Sequence, residues 1–568
     1  MGLSESFRVI DVGRYVAGMG VSKPFRRGVV WGPRPEIAVV ETVEKRLGSL
    51  PVIADFCRRI DIAGIIDQAC PIRDIAYATH GQVIEVLIAN RLTSPAAMVR
   101  IADWARSWAV PEVFGVSADL LDDDRLGRAL DAIAARSEHI IGSVGAAAIE
   151  AFGIDVTRLH WDMTSISLYG SYEDSDPAFP APAYGHPKDR RTDLKQIQAG
   201  IAVSADGGIP VWHRAYDGGA GEVAQVVDAM SHLKTLAGQH GFLLVGDSKL
   251  ISYGNVTAML GGEVTFIAPL AASRVPAGLF AGLDLAAATV VDYIAERDGD
   301  KPSWERCRYR VCEDVMDMPG PRKKDPVHRL RRILVHSTAN AEAAAKARRR
   351  QLDAARTDLD TLTRTAGTRY HPDITAVTAK AAEITRRRRV GGYLHTAITI
   401  GETGKPAFTW SFNQAAIDAE AASDGWYALL TNLNASIDAS EILHRHKGQP
   451  TVERRYGTTK GPLAVAPVFL QTNRRIAALI TVICLALLIF CLIEREVRTQ
   501  LAPDTAMRGF YNDGRAVPPT GRLILQALGE LRLIPAHNGS PPKIPQPGYL
   551  QAELLTLLNV DPTQPRGS

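Results

Sequence analysis

The chain has little cysteine for its length. Its 568 residues include six cysteines, at Cys57, Cys70, Cys307, Cys312, Cys484 and Cys491. This number is too small and too scattered for a disulfide framework, so a reducing compartment is expected. Cys307 and Cys312 lack a second Cys or His pair at zinc spacing, and they are interpreted as small buried residues of a strand.

An excess of charge of either sign is also missing. Lys and Arg total 65 and Asp and Glu total 62, while 46% of residues are hydrophobic and 22% are charged. This composition excludes a disordered, collagen-like or coiled-coil chain and predicts roughly three or four globular domains. The first residues do not combine a basic stretch with an apolar run, so export is not expected.

Long apolar runs are absent with one exception, the segment from Ile476 to Ile493. Its positions are apolar except for Thr481, and the segment is long enough for a membrane span to be considered. Arg474 and Arg475 precede it and Glu494 follows it. The favoured interpretation is a central helix that is packed on several sides in a large domain.

The pattern of apolar residues divides the chain into a helical part and a later mixed part. Residues up to about 150 have helical periodicity. Strands are predicted at 159–169, 196–204, 209–216, 242–245, 264–268 and 426–431, with a helix at 221–237. Residues 270–425 interrupt this pattern and carry basic clusters around an Ala-rich helix at 341–363, which favours an arm that contacts a polyanion over a merely solvated helix face.

Two aspartates stand at strand positions where a charge is costly. Asp162 lies within the predicted strand 159–169, and Asp247 directly follows the strand 242–245. If these two strands are parallel neighbours, the carboxylates converge, and a divalent cation can replace their lost hydration. A structural role as a hydrogen-bonding centre is the alternative for Asp162.

These aspartates occur in a series of motifs. The first is Trp161-Asp162-Met163-Thr164-Ser165, followed by the run from Tyr184 to Gln196 and by Gly246-Asp247-Ser248. Glu453 lies in a later predicted helix, and Lys460 follows it. In order and in wording, the series resembles the bacterial insertion-sequence DDE transposases of the IS-four-like group.

The resemblance implies a fold and a division into domains. The implied fold is α/β, with an RNase H-like mixed sheet flanked by helices, interrupted by a large insertion and preceded by an all-helical N-terminal domain. The expected segments are a helical domain that binds DNA ends (1–150), the first part of the catalytic core (151–269), the insertion with its basic arm (270–425), the second part of the core (426–500) and a C-terminal tail (501–568).

The resemblance also implies an activity. Asp162, Asp247 and Glu453 are the expected catalytic triad, and they would hold two Mg²⁺ ions, for which Mn²⁺ can substitute. The reaction would be cleavage of DNA at the ends of an insertion sequence followed by strand transfer into target DNA. Two alternatives stay open, an inactive transposase-derived protein that binds DNA, and a metal-dependent nuclease without strand transfer.

Further residues are implied to contact DNA. The family signature of Tyr, Arg, Glu and Lys falls on His446, Gln449, Glu453 and Lys460, so the first two positions depart from it. The run between the first two strands adds five basic side chains: His186, Lys188, Arg190, Arg191 and Lys195. The expected partners are the terminal inverted repeats, target DNA and a second copy of the chain, without a membrane, in a bacterial cytoplasm and at the nucleoid.

Overall fold

The computed structural model describes most of the chain beyond residue 43. The described ranges are 44–73, 76–173, 175–185, 187, 190–238, 241–295, 298–299, 301–401, 404–461, 463, 470–502, 505–536 and 541–563. Two predicted DNA-contacting residues, His186 and Lys188, lie outside these ranges. The chain from Glu44 onwards forms one compact unit.

The N-terminal part of this unit is helical, as the periodicity predicted. After the two-residue strand β1 (Lys45–Arg46) come seven helices: α1 (Leu50–Arg59), α2 (Ile62–Ala69), α3 (His80–Thr93), α4 (Ile101–Ser107), α5 (Val110–Phe114), α6 (Asp123–Ala134) and α7 (Ser137–Phe152). The start of α3 is fixed by a capping box, in which Thr79 and Gln82 satisfy each other's backbone N–H groups.

A mixed sheet follows, and its strand order is that of an RNase H-like core. Its first elements are β2 (Arg158–Leu168), β3 (Lys195–Ser204), β4 (Pro210–Tyr216), α8 (Glu222–Ala237), β5 (Leu243–Val245), α9 (Tyr253–Gly261) and β6 (Thr265–Pro269). The spatial order is β4-β3-β2-β5-β6. The first three strands are antiparallel, whereas β2, β5 and β6 are parallel to one another.

The insertion does not merely interrupt this sheet, because it also lengthens it. The strands β7 (Thr289–Val291), β8 (Tyr309–Met318) and β9 (His328–Ser337) are joined to β6 through the later strand β12 (Trp426–Thr431), which gives nine strands in the order β4-β3-β2-β5-β6-β12-β9-β8-β7. All pairs from β6 to β7 are antiparallel.

Between β9 and β12 the chain forms a separate small body, here called the arm. It consists of α10 (Thr338–Thr365), α11 (Ile374–Arg388), the hairpin β10 (Leu394–Ile400) and β11 (Pro406–Phe412), and α12 (Gln414–Ala421). Its apolar side chains, among them Leu359, Ile384 and Phe408, form a cluster of their own. The arm leaves and rejoins the sheet at one place, since Ser337 N–H donates to Gly425 O at 3.0 Å.

The helices after β12 complete the core. They are α13 (Ala439–His446), α14 (Pro450–Lys460), α15 (Asn473–Gln500), α16 (Gly521–Leu528) and α17 (Tyr549–Leu557), with β13 (Arg532–Leu533) pairing with β1. Among the described residues, α15 is the one helix long and apolar enough to cross a membrane, but 94% of its most apolar window is buried in the fold. This burial agrees with the predicted core helix.

The later helix that was predicted to carry Glu453 is divided into two, α13 and α14. Pro450 favours a new helix start, because it lacks the N–H that would continue α13. Gly448 at the break lies so close to β2 that a Cβ atom there would be 2.7 Å from the His160 ring. The break therefore lets the second helix pack directly on the strand that carries Asp162.

Candidate metal centre

The register of two parallel strands places Asp162 beside Asp247. Arg158 is level with Leu243 and His160 with Val245, so two further residues along the pair bring Asp162 level with Asp247. Asp162 lies inside β2, where it is 6% exposed, and its Oδ1 accepts the Met163 N–H at 2.8 Å. Asp247 follows β5 and caps a short turn, because its Oδ1 accepts the Lys249 N–H at 2.8 Å.

A third carboxylate, that of Glu222, joins the two aspartates. Glu222 is the first residue of α8 and is 8% exposed. One oxygen from each of Asp162, Glu222 and Asp247 lies within 4.8 Å of the other two. The position at the start of a helix favours a carboxylate, since the backbone N–H groups there carry partial positive charge.

Lys249 provides a positive charge at this acidic group. Its Nζ donates a hydrogen bond to Glu222 Oε2. Burial raises the pKa of Glu222, and the charges of Asp247 and Asp162 raise it further, against the opposing effect of Lys249. Burial alone lowers the pKa of Lys249, but the hydrogen bond and the three carboxylates together raise it above its usual value.

The three acids fit a divalent cation. Hard cations such as Mg²⁺ and Mn²⁺ bind carboxylate oxygens, and this group offers three residues of that type within one small volume. Glu222 Oε1 is buried and has no hydrogen-bond partner among the described residues. A buried carboxylate oxygen without a donor is costly, and a cation bound at this position would satisfy it.

Helix α14 supports the strand that carries Asp162. Tyr456 Oη donates to the Asp162 carbonyl at 2.5 Å and lies 3.1 Å from the Ala199 carbonyl. Gln449 Nε2 donates to the Trp161 carbonyl at 3.3 Å, and Gln449 Oε1 lies 3.1 Å from His160 Nδ1. Burial lowers the pKa of His160 to about 4, so this ring is neutral at pH 7.

The predicted third ligand, Glu453, lies outside the group of three. Its side chain is exposed on α14, whereas Glu222 completes the cluster with Asp162 and Asp247. Glu453 is four residues after Gln449 and three before Tyr456, so it belongs to the turn between the two contacts with β2. Lys460 is exposed at the end of the same helix.

Two other residues of the predicted signature, Gln449 and His446, place polar side-chain atoms inside the fold. Gln449 is buried and uses both ends of its amide on β2. Burial lowers the pKa of His446 to about 3, and its Nδ1 is buried without a described hydrogen-bond partner. A neutral His446 does not offer the positive charge that a phosphate contact would use.

The described basic residues of the 184–195 run are on or near the surface. Arg190 is exposed and has a positive φ of 63°. Arg191 is exposed and forms two hydrogen bonds with the Asp193 carboxylate, at 2.8 and 2.7 Å. Lys195, at the start of β3, donates to the carbonyl oxygens of Ser171 and Tyr172. Arg190 therefore has more freedom than its two neighbours to meet another molecule.

Sequence reasoning missed Glu222 and Lys249. A glutamate in the first turn of a helix is common, because it complements the helix dipole, so its position alone does not distinguish a ligand. Lys249 is two residues after Asp247 and looks like an ordinary loop lysine. The available signal was the turn Gly218-Gly219-Ala220-Gly221, which returns the chain after β4 to the sheet edge where β5 ends.

Comparisons with known proteins cover part of this picture. Residues 42–141 match a family described as Domain of unknown function (DUF4277). No curated protein matches the chain. Seven solved chains match it, and one of them is from "Cryo-EM structure of piggyBac transposase synaptic complex with hairpin DNA (SNHP)". That chain is 10% identical with a TM-score of 0.36, and the match covers 84% of this chain and 79% of that chain.

Proposed function

We propose that this protein is a metal-dependent DNA transposase that cuts the ends of an insertion sequence and joins them to target DNA. The observation that carries the proposal is the convergence of Asp162, Glu222 and Asp247 beside the parallel strands β2 and β5 of a sheet with RNase H-like strand order. The motifs around Asp162, Asp247 and Glu453, which resemble the IS-four-like group, narrow the activity to transposition.

The three clustered acids are proposed to hold the catalytic metal. Asp162 and Asp247 are fixed by strand register and Glu222 by the start of α8. A bound divalent cation would activate the attacking oxygen and stabilise the leaving oxygen of the phosphodiester bond. Lys249 Nζ, which donates to Glu222 Oε2 in this structure, would then be released from that carboxylate to meet a phosphate oxygen.

Glu453 is proposed to act from the opposite side of the same site. Its turn of α14 lies between Gln449 and Tyr456, which bond to the carbonyls of Trp161 and Asp162. A carboxylate on that turn can complete a second cation position when DNA and metal are present, and Lys460 can contact a phosphate next to the bond that is cut. Two cations are the number that we expect, and Asp162 and Asp247 would help to hold them.

DNA is the proposed partner. Arg190, Arg191 and Lys195, with His186 and Lys188 of the same run, are proposed to contact the backbone near Asp162. The helical region that contains α1–α7 is proposed to bind the element's end. Two ends must be brought together for transposition, so a homodimer on DNA is expected, in a bacterial cytoplasm.

Metal binding tests the proposal without DNA. Mn²⁺ titration of the full chain, followed by electron paramagnetic resonance, should detect binding that Asp247→Asn and Glu222→Gln each weaken by about tenfold or more. Glu150→Gln, the same change on an exposed residue of α7, is the matched control and should leave the affinity unchanged. Glu453→Gln tests whether Glu222 or Glu453 is the third metal ligand of the DNA-free protein. If Glu222 is that ligand, Glu453→Gln should have little effect on the Mn²⁺ affinity before DNA is added.

The DNA reaction tests the rest. A labelled duplex that carries the element's own end should be nicked and joined with Mg²⁺ or Mn²⁺, but not with EDTA, and neither product should form with Asp247→Asn. Joined products are the evidence for a transposase, whereas nicking without joining would reduce the protein to a nuclease. Normal Mn²⁺ binding with neither nicking nor joining would contradict the proposed activity.

A further inference from the structure

The hairpin of β8 and β9 ends in an exposed cluster of positive charge, here called the basic tip (residues 319–327). Met318 pairs with His328, so the tip is the whole connection between the two strands. Arg322, Lys323 and Lys324 are exposed and have no ion pair with another described residue. By contrast, two arginines of the hairpin's stem are paired with acids: Arg331 with Glu313 at 2.6 Å and Arg332 with Asp314 at 2.5 Å.

The basic tip has a fixed shape. Pro319, Pro321 and Pro326 restrict its backbone. Asp325 closes the turn, because its Oδ2 accepts the Arg322 N–H at 2.9 Å while its own N–H donates to the Arg322 carbonyl at 3.0 Å. The one acid of the tip is thus occupied with the backbone, and the three cations point to solvent at little further entropic cost of ordering the loop.

The basic tip is also held by α9, the helix that follows Asp247 in the sequence. Tyr253, the first residue of α9, donates its hydroxyl to the Pro326 carbonyl at 2.8 Å, and its ring stacks on His328 with centroids 5.0 Å apart. Gly320 allows this approach, since a Cβ there would be 2.8 Å from Tyr253 Cζ. Thr257 Oγ1 lies 2.7 Å from His328 Nε2, which adds a second contact on the same helix.

Tyr253 is six residues after Asp247, and six residues span at most about 20 Å. A DNA duplex rises 3.4 Å per base pair, so the maximum distance of about 20 Å between Asp247 and Tyr253 corresponds to the length of about six base pairs. We infer that the basic tip binds the phosphate backbone of duplex DNA within about one helical turn of the bond that is cut. This inference rests on the proposed function, and it adds a contact surface outside the motifs of the catalytic core.

Salt dependence of DNA binding tests the inference. The triple variant Arg322→Gln, Lys323→Gln, Lys324→Gln is compared with wild type by fluorescence anisotropy on a labelled duplex of about 40 base pairs in EDTA, between about 50 and 200 mM KCl. Three lost phosphate contacts should reduce the slope of log K against log salt by about 2 to 3 and weaken binding by about 10- to 100-fold near 100 mM KCl.

The matched control removes the same charge elsewhere. Arg508→Gln, Arg515→Gln, Arg522→Gln changes three exposed arginines near the C-terminal end, and it should leave the slope unchanged. Equal thermal melting and equal Mn²⁺ affinity in all three proteins exclude misfolding as the cause. If the two triple variants have the same slope, the inference is wrong while the proposed function stands. If wild type does not bind the duplex at all, both fail.

Discussion

Lys249 binds a carboxylate that a metal ion at this site would also need, that of Glu222. Its Nζ donates to Glu222 Oε2, so a cation that binds this carboxylate competes with an ammonium group already there. We therefore expect Lys249→Met to raise the Mn²⁺ affinity of the DNA-free protein by about three- to tenfold, because like charges no longer repel. Isothermal titration calorimetry at low salt measures this change in Mn²⁺ affinity.

The same variant should lose DNA cleavage if Lys249 turns to a phosphate. A variant that binds Mn²⁺ more tightly and cuts DNA more slowly separates the two roles of the ammonium group. Lys234→Met is a suitable control, since Lys234 lies on α8 and donates to the Gly262 carbonyl at 2.9 Å. Weaker Mn²⁺ binding by Lys249→Met would contradict the competition.

His213 provides a pH-dependent contribution to stability. It is buried on β4, and burial lowers its pKa to about 3, compared with about 6.5 in the unfolded chain. Between these two pH values the unfolded state therefore binds more protons than the folded state. The contribution of His213 to the free energy of unfolding is fully present above about pH 6.5 and is lost as the pH decreases. His213→Phe should reduce the loss of unfolding free energy between pH 7.5 and pH 5 by about 2 kcal/mol.

Urea unfolding at the two pH values, followed by tryptophan fluorescence, measures this difference. His232→Phe is the comparison, because it makes the same change at a histidine of α8 with a third of its side chain exposed. An unchanged difference between pH 7.5 and pH 5 in His213→Phe would mean that His213 is protonated in the folded protein.

At the residue scale, the sequence contained part of the site. Asp162 and Asp247 stand out because an acid within or directly after a buried strand needs compensation. Glu222 does not stand out, since its role depends on where the turn after β4 places α8 relative to β5. That position is set by contacts between segments that are distant in sequence. One of them is the hydrogen bond that Asn255 Nδ2 donates to the Val223 carbonyl at 3.0 Å.

Among the elements, α14 and α15 are joined by a buried ion pair. Arg455 donates to Glu494 at 3.1 Å and to the carbonyls of Gly207 and Gly208 in the β3–β4 turn. Both side chains are about 10% exposed or less. We expect Arg455→Met to lower the free energy of unfolding by about 3 kcal/mol, because it leaves the buried Glu494 charge without its main partner.

The second arginine beside Glu494 gives the control. Arg498 is 3.7 Å from the same oxygen but 44% exposed, so Arg498→Met should cost at most about 1 kcal/mol. Chemical denaturation of both variants at pH 7 compares the two arginines directly. Equal losses would show that burial does not set the strength of the pair.

Secondary structure was predictable where the periodicity was strong. The predicted strand 196–204 and helix 221–237 are within one residue of β3 and α8, since apolar alternation and helical spacing are clear there. A strand was expected at Cys312, but the bounds of β8 (Tyr309–Met318) were not predicted, because the adjacent apolar residues Val311 and Cys312 and the adjacent acids Glu313 and Asp314 break the apolar alternation. Its pairing with β9 supplies the stability that its own composition does not indicate.

At the scale of the whole molecule, the sequence predicted a core and an insertion but not their continuity. The strand β12 lies between β6 and β9, so the nine-stranded sheet exists only because segments far apart in the chain pair with one another. Such pairing has no local signal. The extension fixes the basic tip against α9 and leaves the arm outside the sheet.

The arm should be removable without loss of the sheet. Its apolar cluster is separate from the clusters of the core, and Ser337 and Gly425 are hydrogen-bonded neighbours at its base. Replacement of Thr338–Asp424 by Asn-Gly would close β9 and β12 into an ordinary two-residue hairpin. Both partners of the buried Arg348–Asp424 pair are removed together, so no buried charge is left alone.

We expect this deletion variant to melt within a few degrees of the full chain and to lose helical circular dichroism signal. Its Mn²⁺ affinity should be unchanged, because Asp162, Glu222 and Asp247 lie outside the arm. A deletion of β8 and β9 with the arm, from Tyr309 to Asp424, is the informative comparison, since it removes strands from the sheet and exposes the edge of β12. If the arm deletion also aggregates or loses Mn²⁺ binding, the arm stabilises the catalytic sheet. If it remains folded and binds Mn²⁺ but binds DNA more weakly, the arm is a separate DNA-binding element, which is the role its basic clusters predict.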